Sequence, residues 1–174
     1  MPGLIAMCGL PFSGKSVLAA ALSRELRIRL LSYDAEIYPA QRRAAPAGAS
    51  PAAGDGFVRG IARREIAAIL AGGESLIYDD LLLERDDRRK LAAVAEAHWA
   101  GFVLVYLDTP LPVIDERRAA NSRTRARTSV PDGKMRTDTS LLEPPEEAER
   151  AIYVSPGYVL SEVLAQVSAR LAGH

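Results

Sequence analysis

Residues 9–16, GLPFSGKS, place two glycines, a lysine and a hydroxyl in the spacing G-x-x-x-x-G-K-[ST]. Glycine lets a backbone wrap closely around an anion, because it has no Cβ that would clash. The N–H groups of such a loop point at phosphate oxygens, and a following helix adds partial positive charge. The pattern predicts a phosphate-binding loop that consists of Gly9, Leu10, Pro11, Phe12, Ser13, Gly14, Lys15, Ser16 and Val17.

Two side chains of this loop have chemistry of their own. Lys15 can supply a full positive charge to the β- and γ-phosphates of a nucleoside triphosphate. Ser16 can supply a hydroxyl ligand to Mg²⁺, which prefers oxygen ligands and keeps several water molecules. We therefore expect ATP and Mg²⁺ to bind here. Cys8 could be a reactive thiol, but its place at the end of an apolar run favours a buried, packed side chain.

A carboxylate follows each of two further apolar runs. Asp34 comes after residues 28–32, and Asp79 ends the run LIYD, with Asp80 as its alternative. In an open parallel sheet, ligands bind at the carboxyl ends of the strands. Asp34 could there accept the proton of an attacking hydroxyl, and Asp79 could hold Mg²⁺. The alternatives are that Asp34 caps a helix that begins at Ala35 and that Asp79 lies in a solvated turn.

Five arginines lie within eleven residues: Arg117, Arg118, Arg123, Arg125 and Arg127. Such a cluster is either a solvated face or a lid that closes over a triphosphate and stabilises charge on the transferring phosphoryl group. Because no apolar scaffold surrounds the arginines, we expect a mobile lid at about residues 117–136. The acidic side chains of the 143–149 segment are expected to balance the lid's charge.

Apolar runs alternate with stretches of helical periodicity along the chain. We expect strands at residues 3–8, 28–32, 74–80, 101–108 and 151–154. Helices are expected at 14–27, 57–70, 84–99, 109–120 and 155–171, the first with Val17 on its buried face. This alternation predicts an α/β fold, a five-stranded parallel sheet with helices on both faces. Residues 38–56, rich in proline, alanine and glycine, are expected to form a mobile segment on the acceptor side.

The length, charge and composition of the chain limit the classes of protein to which it can belong. A chain of 174 residues suits a single domain, 1–174, and 22 basic residues balance 22 acidic ones. A net charge of zero argues against a general binder of nucleic acid or of membrane surfaces. One cysteine and two histidines provide neither a disulfide nor a standard zinc site. The chain has no run long enough to span a membrane and no signal-peptide pattern, so we expect a cytoplasmic protein without membrane contact.

A loop that binds a nucleoside triphosphate is consistent with three classes of protein: a GTPase, a motor ATPase or a kinase. The sequence contains no Asn-Lys-x-Asp string, which would read guanine, and its length leaves little room for the sensor and oligomer-contact segments of a motor. A small kinase needs a group that holds an acceptor hydroxyl and a mobile basic lid. Asp34 and the arginine cluster are candidates for these two parts.

The chain resembles the small P-loop kinases, among them polynucleotide 5′-hydroxyl kinases, zeta toxins and chloramphenicol phosphotransferases. The resemblance covers residue 3 to about 170 and is carried by GLPFSGKSVLAAAL, by YD after the second strand, by LIYDD and by NSRTRARTSVPDGKMR. It implies a P-loop NTPase fold with strand order 2-3-1-4-5. It also implies that Asp34 is the general base and that Lys15 and Ser16 contact the phosphates and Mg²⁺, with Asp79 beside the metal. By the same resemblance, adenine lies near residues 154–158, and one lid arginine, Arg123 or Arg125, is catalytic.

Two departures from polynucleotide kinases bear on the acceptor. Ile37 stands where those kinases carry an arginine that holds the nucleic-acid end, and Leu81-Leu82 replaces Thr-Asn after the third strand. Together with the zero net charge, they favour a kinase that transfers the γ-phosphoryl group of ATP to a hydroxyl of a small molecule. The alternatives are a polynucleotide 5′-hydroxyl kinase, a zeta-toxin-like kinase that acts on a nucleotide sugar, and an ATP-binding regulatory module without transfer.

Overall fold

The apolar runs form a five-stranded parallel sheet in the computed structural model of the chain, which describes residues 1–39 and 54–173. The strands are β1 (Gly3–Cys8), β2 (Arg29–Ser32), β3 (Leu76–Asp79), β4 (Gly101–Leu107) and β5 (Ile152–Val154). Their order, β2-β3-β1-β4-β5, confirms the predicted order. The central strand, β1, therefore carries the glycine-rich loop at its carboxyl end.

The described residues also form six α-helices: α1 (Lys15–Leu26), α2 (Gly54–Ala71), α3 (Arg85–Ala97), α4 (Leu111–Thr124), α5 (Asp132–Leu141) and α6 (Leu160–Ala172). The five predicted helices are all present, with ends displaced by a few residues. Helix α5 and two short turns, Tyr33–Ile37 and Glu147–Glu149, were not predicted. Most of the segment 38–56, predicted to be mobile, lies outside the described residues. No helix in the described ranges is long and apolar enough to cross a membrane.

Each face of the sheet has its own core, because successive side chains of a strand point to opposite faces. Leu4 and Ala6 pack with α2 and α3, whereas Ile5 and Met7 pack with α1 and α6. Helix α1 buries Leu18, Ala19 and Leu22. The prediction that Val17 is buried was wrong: the side chain is 64% exposed, since α1 turns this position away from the sheet toward the open end of the loop.

A third apolar cluster covers the carboxyl edge of the sheet. Leu10 and Leu83, from the loops after β1 and β3, pack against Ile114 of α4 and Met135 of α5. This cluster fixes the two helices that carry the basic segment above the glycine-rich loop. The predicted lid, 117–136, is therefore divided between the last two turns of α4, the loop 125–131 and the first turn of α5.

Arg88 is a fully buried cation that joins three parts of the chain. Its Nε and Nη2 donate to the two carboxylate oxygens of Glu149 at 2.6 and 3.0 Å. Its Nη1 donates to the carbonyl oxygens of Leu82 and Leu83, both at 3.0 Å. Helix α3 is thereby bound to the loop after β3 and to the 147–149 turn.

The acidic segment therefore pairs with the start of α3, and the expectation that it balances the lid arginines was wrong. Glu143 accepts a hydrogen bond from the backbone N–H of Arg85 at 2.6 Å, and Glu146 pairs with the Arg85 guanidinium at 2.6 Å. Glu149 completes the series with Arg88. The reason is spatial: the 143–149 segment runs beside the amino end of α3, a contact that separation along the chain does not reveal.

We expect Arg88→Ala to lower the free energy of unfolding by about 3–5 kcal/mol, because it leaves a half-buried carboxylate and two carbonyl groups without their donor. Arg89→Ala, at an exposed position of the same helix, should change it by less than about 0.5 kcal/mol. Urea unfolding followed by circular dichroism measures both variants. Equal midpoints for the two would show that the Arg88 network adds nothing to stability.

The single cysteine lies inside the fold, in agreement with the sequence interpretation. Cys8 is completely buried, and its Sγ donates to the carbonyl oxygen of Leu82 at 3.2 Å. Burial raises the pKa of the thiol to about 11, against the lowering effect of the Arg88 charge. The reactive thiolate is therefore almost absent at neutral pH.

We expect native protein at pH 8 to resist a thiol-specific reagent such as dithionitrobenzoate, because the Cys8 thiol is both inaccessible and protonated. The same sample in guanidinium chloride should release one equivalent of chromophore per chain. Reaction of the native protein at the rate of a free cysteine would contradict the burial and the raised pKa.

Candidate functional site

The backbone of the glycine-rich loop has a conformation that depends on its two glycines. Gly9 has φ +138°, and a Cβ there would lie 3.0 Å from the carbonyl oxygen of Leu107. Gly14 has φ +110° and forms the N-cap of α1. Phe12, between them, adopts a left-handed conformation (φ 63°), which costs a non-glycine residue free energy. The alternation of conformations turns successive backbone N–H groups toward a common centre.

Several donors of this loop are open to an anion. Helix α1 begins without a side-chain cap and without an acidic residue in its first turn, so the partial positive charge of its amino end is uncompensated. The Ser13 hydroxyl is buried and has no hydrogen-bond partner in the described parts of the chain. A phosphate group fits this set, because its oxygens accept from backbone N–H groups and hydroxyls alike.

Lys15 and Asp79 form the charged centre of the site. Lys15 is 6% exposed, and its Nζ donates to the carbonyl oxygen of Leu10 at 2.7 Å. Burial lowers the pKa of Lys15, and the nearby charge of Asp79 opposes that effect. Burial raises the pKa of Asp79, while a hydrogen bond from the Ser16 hydroxyl counteracts it. The structure thus brings three predicted site residues, Lys15, Ser16 and Asp79, together at the carboxyl ends of β1 and β3.

Asp80, the alternative to Asp79, points elsewhere. Its carboxylate accepts from the backbone N–H of Leu81 at 2.7 Å and from the Tyr78 hydroxyl at 3.2 Å, and it lies 3.6 Å from Nε of Arg59. Of the two neighbouring carboxylates, only Asp79 contacts the loop through Ser16. Strand alternation accounts for this division, since adjacent side chains of β3 and its extension point in opposite directions.

The Ser16 hydroxyl and the Asp79 carboxylate are a donor pair that suits Mg²⁺. This ion takes oxygen ligands and commonly binds to one or two protein groups, with water and phosphate oxygens completing its shell. Within residues 1–39 and 54–173, no group of three or more His, Cys, Asp or Glu side chains is placed to hold a metal ion. The residues therefore fit an ion that arrives with a phosphate chain rather than one held in a protein cage.

Asp34 lies in the turn that follows β2, next to the charged centre. Ser32 and Asp79 are paired in the register of β2 and β3, which places the 33–37 turn beside the end of β3. Ser32 caps the turn, because its Oγ accepts from the backbone N–H of Ala35 at 3.3 Å. Asp34 does not act as the cap. Its side chain is exposed, and its negative charge adds to the effect of burial in raising the pKa of Asp79.

A cavity of about 440 Å³ adjoins the loop on the side of β4 and β5. Its walls come from the loop, from the end of α4 with the 125–131 loop, and from the segment after β5. They include Phe12, Val17, Asn121, Arg127, Pro156 and Tyr158. The volume lies within the range of small-ligand pockets. The predicted adenine segment, 154–158, thus borders the same cavity as the glycine-rich loop.

The arginines of the basic cluster divide into two groups. Arg117 donates through Nη1 to the carbonyl oxygens of Phe12 and Ser13, at 3.0 and 2.7 Å. The Arg127 guanidinium lies 5.8 Å from the centroid of the Phe12 ring. Both line the cavity. The other three arginines lie outside the lining, as far as the described residues show: Arg118, which pairs with Asp115 and Asp132, and the predicted catalytic residues Arg123 and Arg125.

Arg127 is the functional candidate that the sequence did not single out. The only signal was its membership of the cluster of five. Arg125 ends α4 in a left-handed conformation (φ 50°), and the chain then reverses direction. That reversal, and not the spacing of the arginines, decides which of them faces the loop.

Comparison with known proteins agrees with this architecture. A family model described as "AAA domain" matches residues 4–145. A search of curated proteins finds no significant match.

Three solved structures share the fold over nearly the whole chain. A gluconokinase from Sinorhizobium meliloti 1021 is 26% identical, with TM-score 0.69 over 99% of this chain and 93% of its own. Chaetomium thermophilum Kti12, in complex with ADP-AlF3, is 19% identical, with TM-score 0.76 over 98% and 100%. The Mycobacterium tuberculosis APS kinase CysC, in complex with AMPPNP and APS, is 19% identical, with TM-score 0.66 over 98% of both chains. The fold is that of the P-loop kinases, and because the family model spans most of the sequence, the chain belongs to this AAA-domain family.

Proposed function

We propose that the protein is an ATP-dependent kinase that transfers the γ-phosphoryl group to a hydroxyl of a small-molecule acceptor. The observation that carries the proposal is the pair of unlike carboxylates at neighbouring strand ends. Asp79 is buried beside Ser16 and Lys15, whereas Asp34 is exposed in the turn that follows the neighbouring strand. One carboxylate is placed to serve a metal and the other to serve a second substrate.

ATP binds with its triphosphate in the glycine-rich loop and its base in the adjoining cavity. The open N–H groups at the start of α1 and the Lys15 ammonium contact the β- and γ-phosphates. Ser16 and Asp79 hold Mg²⁺, which neutralises charge on the phosphate oxygens when it is bound. The segment 154–158 borders the place of the base. Complexes of two proteins of this fold, with AMPPNP and with ADP-AlF3, support ATP as the nucleotide.

Asp34 activates the acceptor. In-line transfer requires the attacking hydroxyl to approach the γ-phosphorus from the side opposite the leaving ADP. The cavity lies on the β4–β5 side of the loop and the 33–37 turn lies on the β2 side, which supports an approach of the acceptor at Asp34 from the side opposite ADP. A carboxylate there orients the hydroxyl and takes its proton.

A lid arginine stabilises charge on the transferring group. Arg127 is the best-placed candidate, beside the loop, while Arg123 lies within α4 and Arg125 at its end, both outside the cavity lining in the described residues. The proposal includes closure of this basic segment over bound ATP, because exclusion of water strengthens the interaction between the arginine and the phosphates.

Within the described residues, the charges on the acceptor side favour a small molecule over a nucleic-acid end. Arg59 and Arg63 of α2 face this side, but Arg59 pairs with Asp80 and Asp87, and Arg63 pairs with Asp87. Paired arginines add little to a phosphate-binding groove, because their charge is already neutralised. The names of the gluconokinase and the APS kinase refer to small-molecule substrates of those proteins, which supports the same class of acceptor here.

We expect γ-labelled ATP and Mg²⁺ to label at least one member of a panel of sugars, sugar acids, nucleosides and nucleotide sugars, and no 5′-hydroxyl oligonucleotide. Lys15→Ala should weaken nucleotide binding about 10- to 100-fold, since a buried charge that contacts phosphate is lost. Arg24→Ala, on the exposed face of α1, is the matched control. If only the oligonucleotide were labelled, the acceptor would be a nucleic-acid end and not a small molecule. If Lys15→Ala bound the nucleotide normally, the glycine-rich loop would not be the nucleotide site.

Asp34→Asn should keep ATP affinity within about twofold while transfer to the labelled acceptor falls by about 10²–10⁴-fold, because the amide cannot accept the proton. Glu36→Gln changes a neighbouring exposed carboxylate in the same turn and should leave both quantities unchanged. Equilibrium binding of a fluorescent ATP analogue and initial rates of transfer measure the two effects separately. Transfer at the wild-type rate, or loss of ATP binding, would remove Asp34 from this role.

A further inference from the structure

We infer that Asn121 is a positioning residue that holds the 125–131 loop so that Arg127 faces the glycine-rich loop. The inference rests on the proposed function, since it assigns the residue that prepares the lid for phosphoryl transfer. Asn121 is 7% exposed and lies in the last turn of α4. Its amide Nδ2 donates to the carbonyl oxygen of Arg127 at 3.0 Å, and its Oδ1 accepts from the backbone N–H of Arg127 at 2.9 Å.

These contacts explain how the chain reverses direction after α4. The carbonyl oxygen of Asn121 accepts from the backbone N–H of Arg125 at 2.7 Å, where the left-handed conformation ends the helix. Two residues later, the Asn121 side chain satisfies both backbone groups of Arg127, as a neighbouring strand would. Three polar groups of Asn121, its backbone carbonyl oxygen and both polar atoms of its side chain, thus hold the chain where it turns at the end of α4.

The reversal determines where the Arg127 charge lies. Its guanidinium is 5.8 Å from the centroid of the Phe12 ring, and its positive charge reaches Asp79 at the centre of the site. Phe12 is itself held from the other side, where its carbonyl oxygen accepts from Arg117. Arg127 is therefore fixed through its backbone, while its side chain is left to face the phosphates of a bound nucleotide.

Only a carboxamide of this length provides the pair of contacts. Asparagine carries a donor and an acceptor on adjacent atoms, whereas aspartate offers acceptors alone and would repel the carbonyl oxygen of Arg127. Alanine would leave the backbone groups of Arg127 without these partners. A loop that samples other arrangements presents Arg127 in only a fraction of molecules, and binding that depends on Arg127 weakens by that fraction.

The alternative is that Asn121 only stabilises the end of α4. A double-mutant cycle separates the two roles, because residues that act through one another give non-additive effects. The four proteins are wild type, Asn121→Ala, Arg127→Ala and the double variant. Ser122→Ala is the matched control, since Ser122 is exposed in the same turn and its hydroxyl bonds only to the carbonyl of Ala119.

The first measurement needs no nucleotide. Hydrogen exchange resolved to the Arg127 amide should accelerate at least about tenfold in Asn121→Ala and stay unchanged in Ser122→Ala, because the acceptor of that amide is removed. Asn121→Leu, which is similar in size and also lacks the acceptor, serves if the alanine variant does not fold. Unchanged protection of the Arg127 amide in Asn121→Ala would overturn the inference directly.

The second measurement compares ADP with ADP plus aluminium fluoride, both with Mg²⁺, as a mimic of the transferring phosphoryl group. The preference for the mimic should fall by about tenfold in Asn121→Ala, with ADP affinity nearly unchanged, and by a similar or larger factor in Arg127→Ala. The double variant should lose no more than Arg127→Ala alone. Additive losses, or an unchanged preference in Asn121→Ala, would assign Asn121 a purely structural role. A wild-type protein that binds neither form would refute the proposed function, and the exchange measurement would still decide the Asn121–Arg127 link.

Discussion

The buried ammonium group of Lys15 is the constraint on which the rest of the site depends. A charge that is 6% exposed is tolerated only when it is paired and hydrogen-bonded. Leu10 supplies a carbonyl oxygen from within the loop, and Asp79 supplies an opposite charge from β3. The register that sets Met7 beside Asp79 is what brings this carboxylate within reach. Burial still lowers the pKa of Lys15, so the protein alone compensates its charge incompletely, and a bound phosphate would complete the compensation.

The same arrangement gives different environments to Asp34 and Asp79, the two carboxylates that the sequence analysis predicted to be functional. Asp79 ends a strand whose four residues are all buried, and its environment is set by Lys15 and Ser16. Asp34 follows β2 on a short turn, and Ser32 caps that turn, which leaves the Asp34 carboxylate exposed. Burial thus ties one group to the loop and leaves the other accessible to a second substrate. A division of roles between paired carboxylates follows from such a difference in environment.

The local sequence pattern was sufficient to predict the strands and the glycine-rich loop. β1 is a continuous apolar run that ends at the glycine-rich motif, and its predicted bounds, 3–8, are those observed. The strand order came from the resemblance to P-loop kinases, because composition alone does not order a parallel sheet. Helix α5 escaped prediction, since its sequence, DGKMRTDTSL, is polar and rich in threonine, and its position depends on Met135 in the third cluster. The pairing of Arg88 with Glu149 spans 61 residues, a separation at which local sequence carries no signal.

The choice among the lid arginines could not come from spacing, because it depends on where α4 ends. Arg117 precedes that end by two turns and is fixed to the carbonyl groups of Phe12 and Ser13, so the body of α4 is part of the loop's support. Arg127 follows the end and reaches Phe12 from the loop 125–131. A movement that carried all of 117–136 would have to break the Arg117 contacts and the third apolar cluster as well. The proposed closure over a nucleotide therefore costs the least free energy if only the 125–131 loop moves, and the two hydrogen bonds of Asn121 limit how far that loop can move.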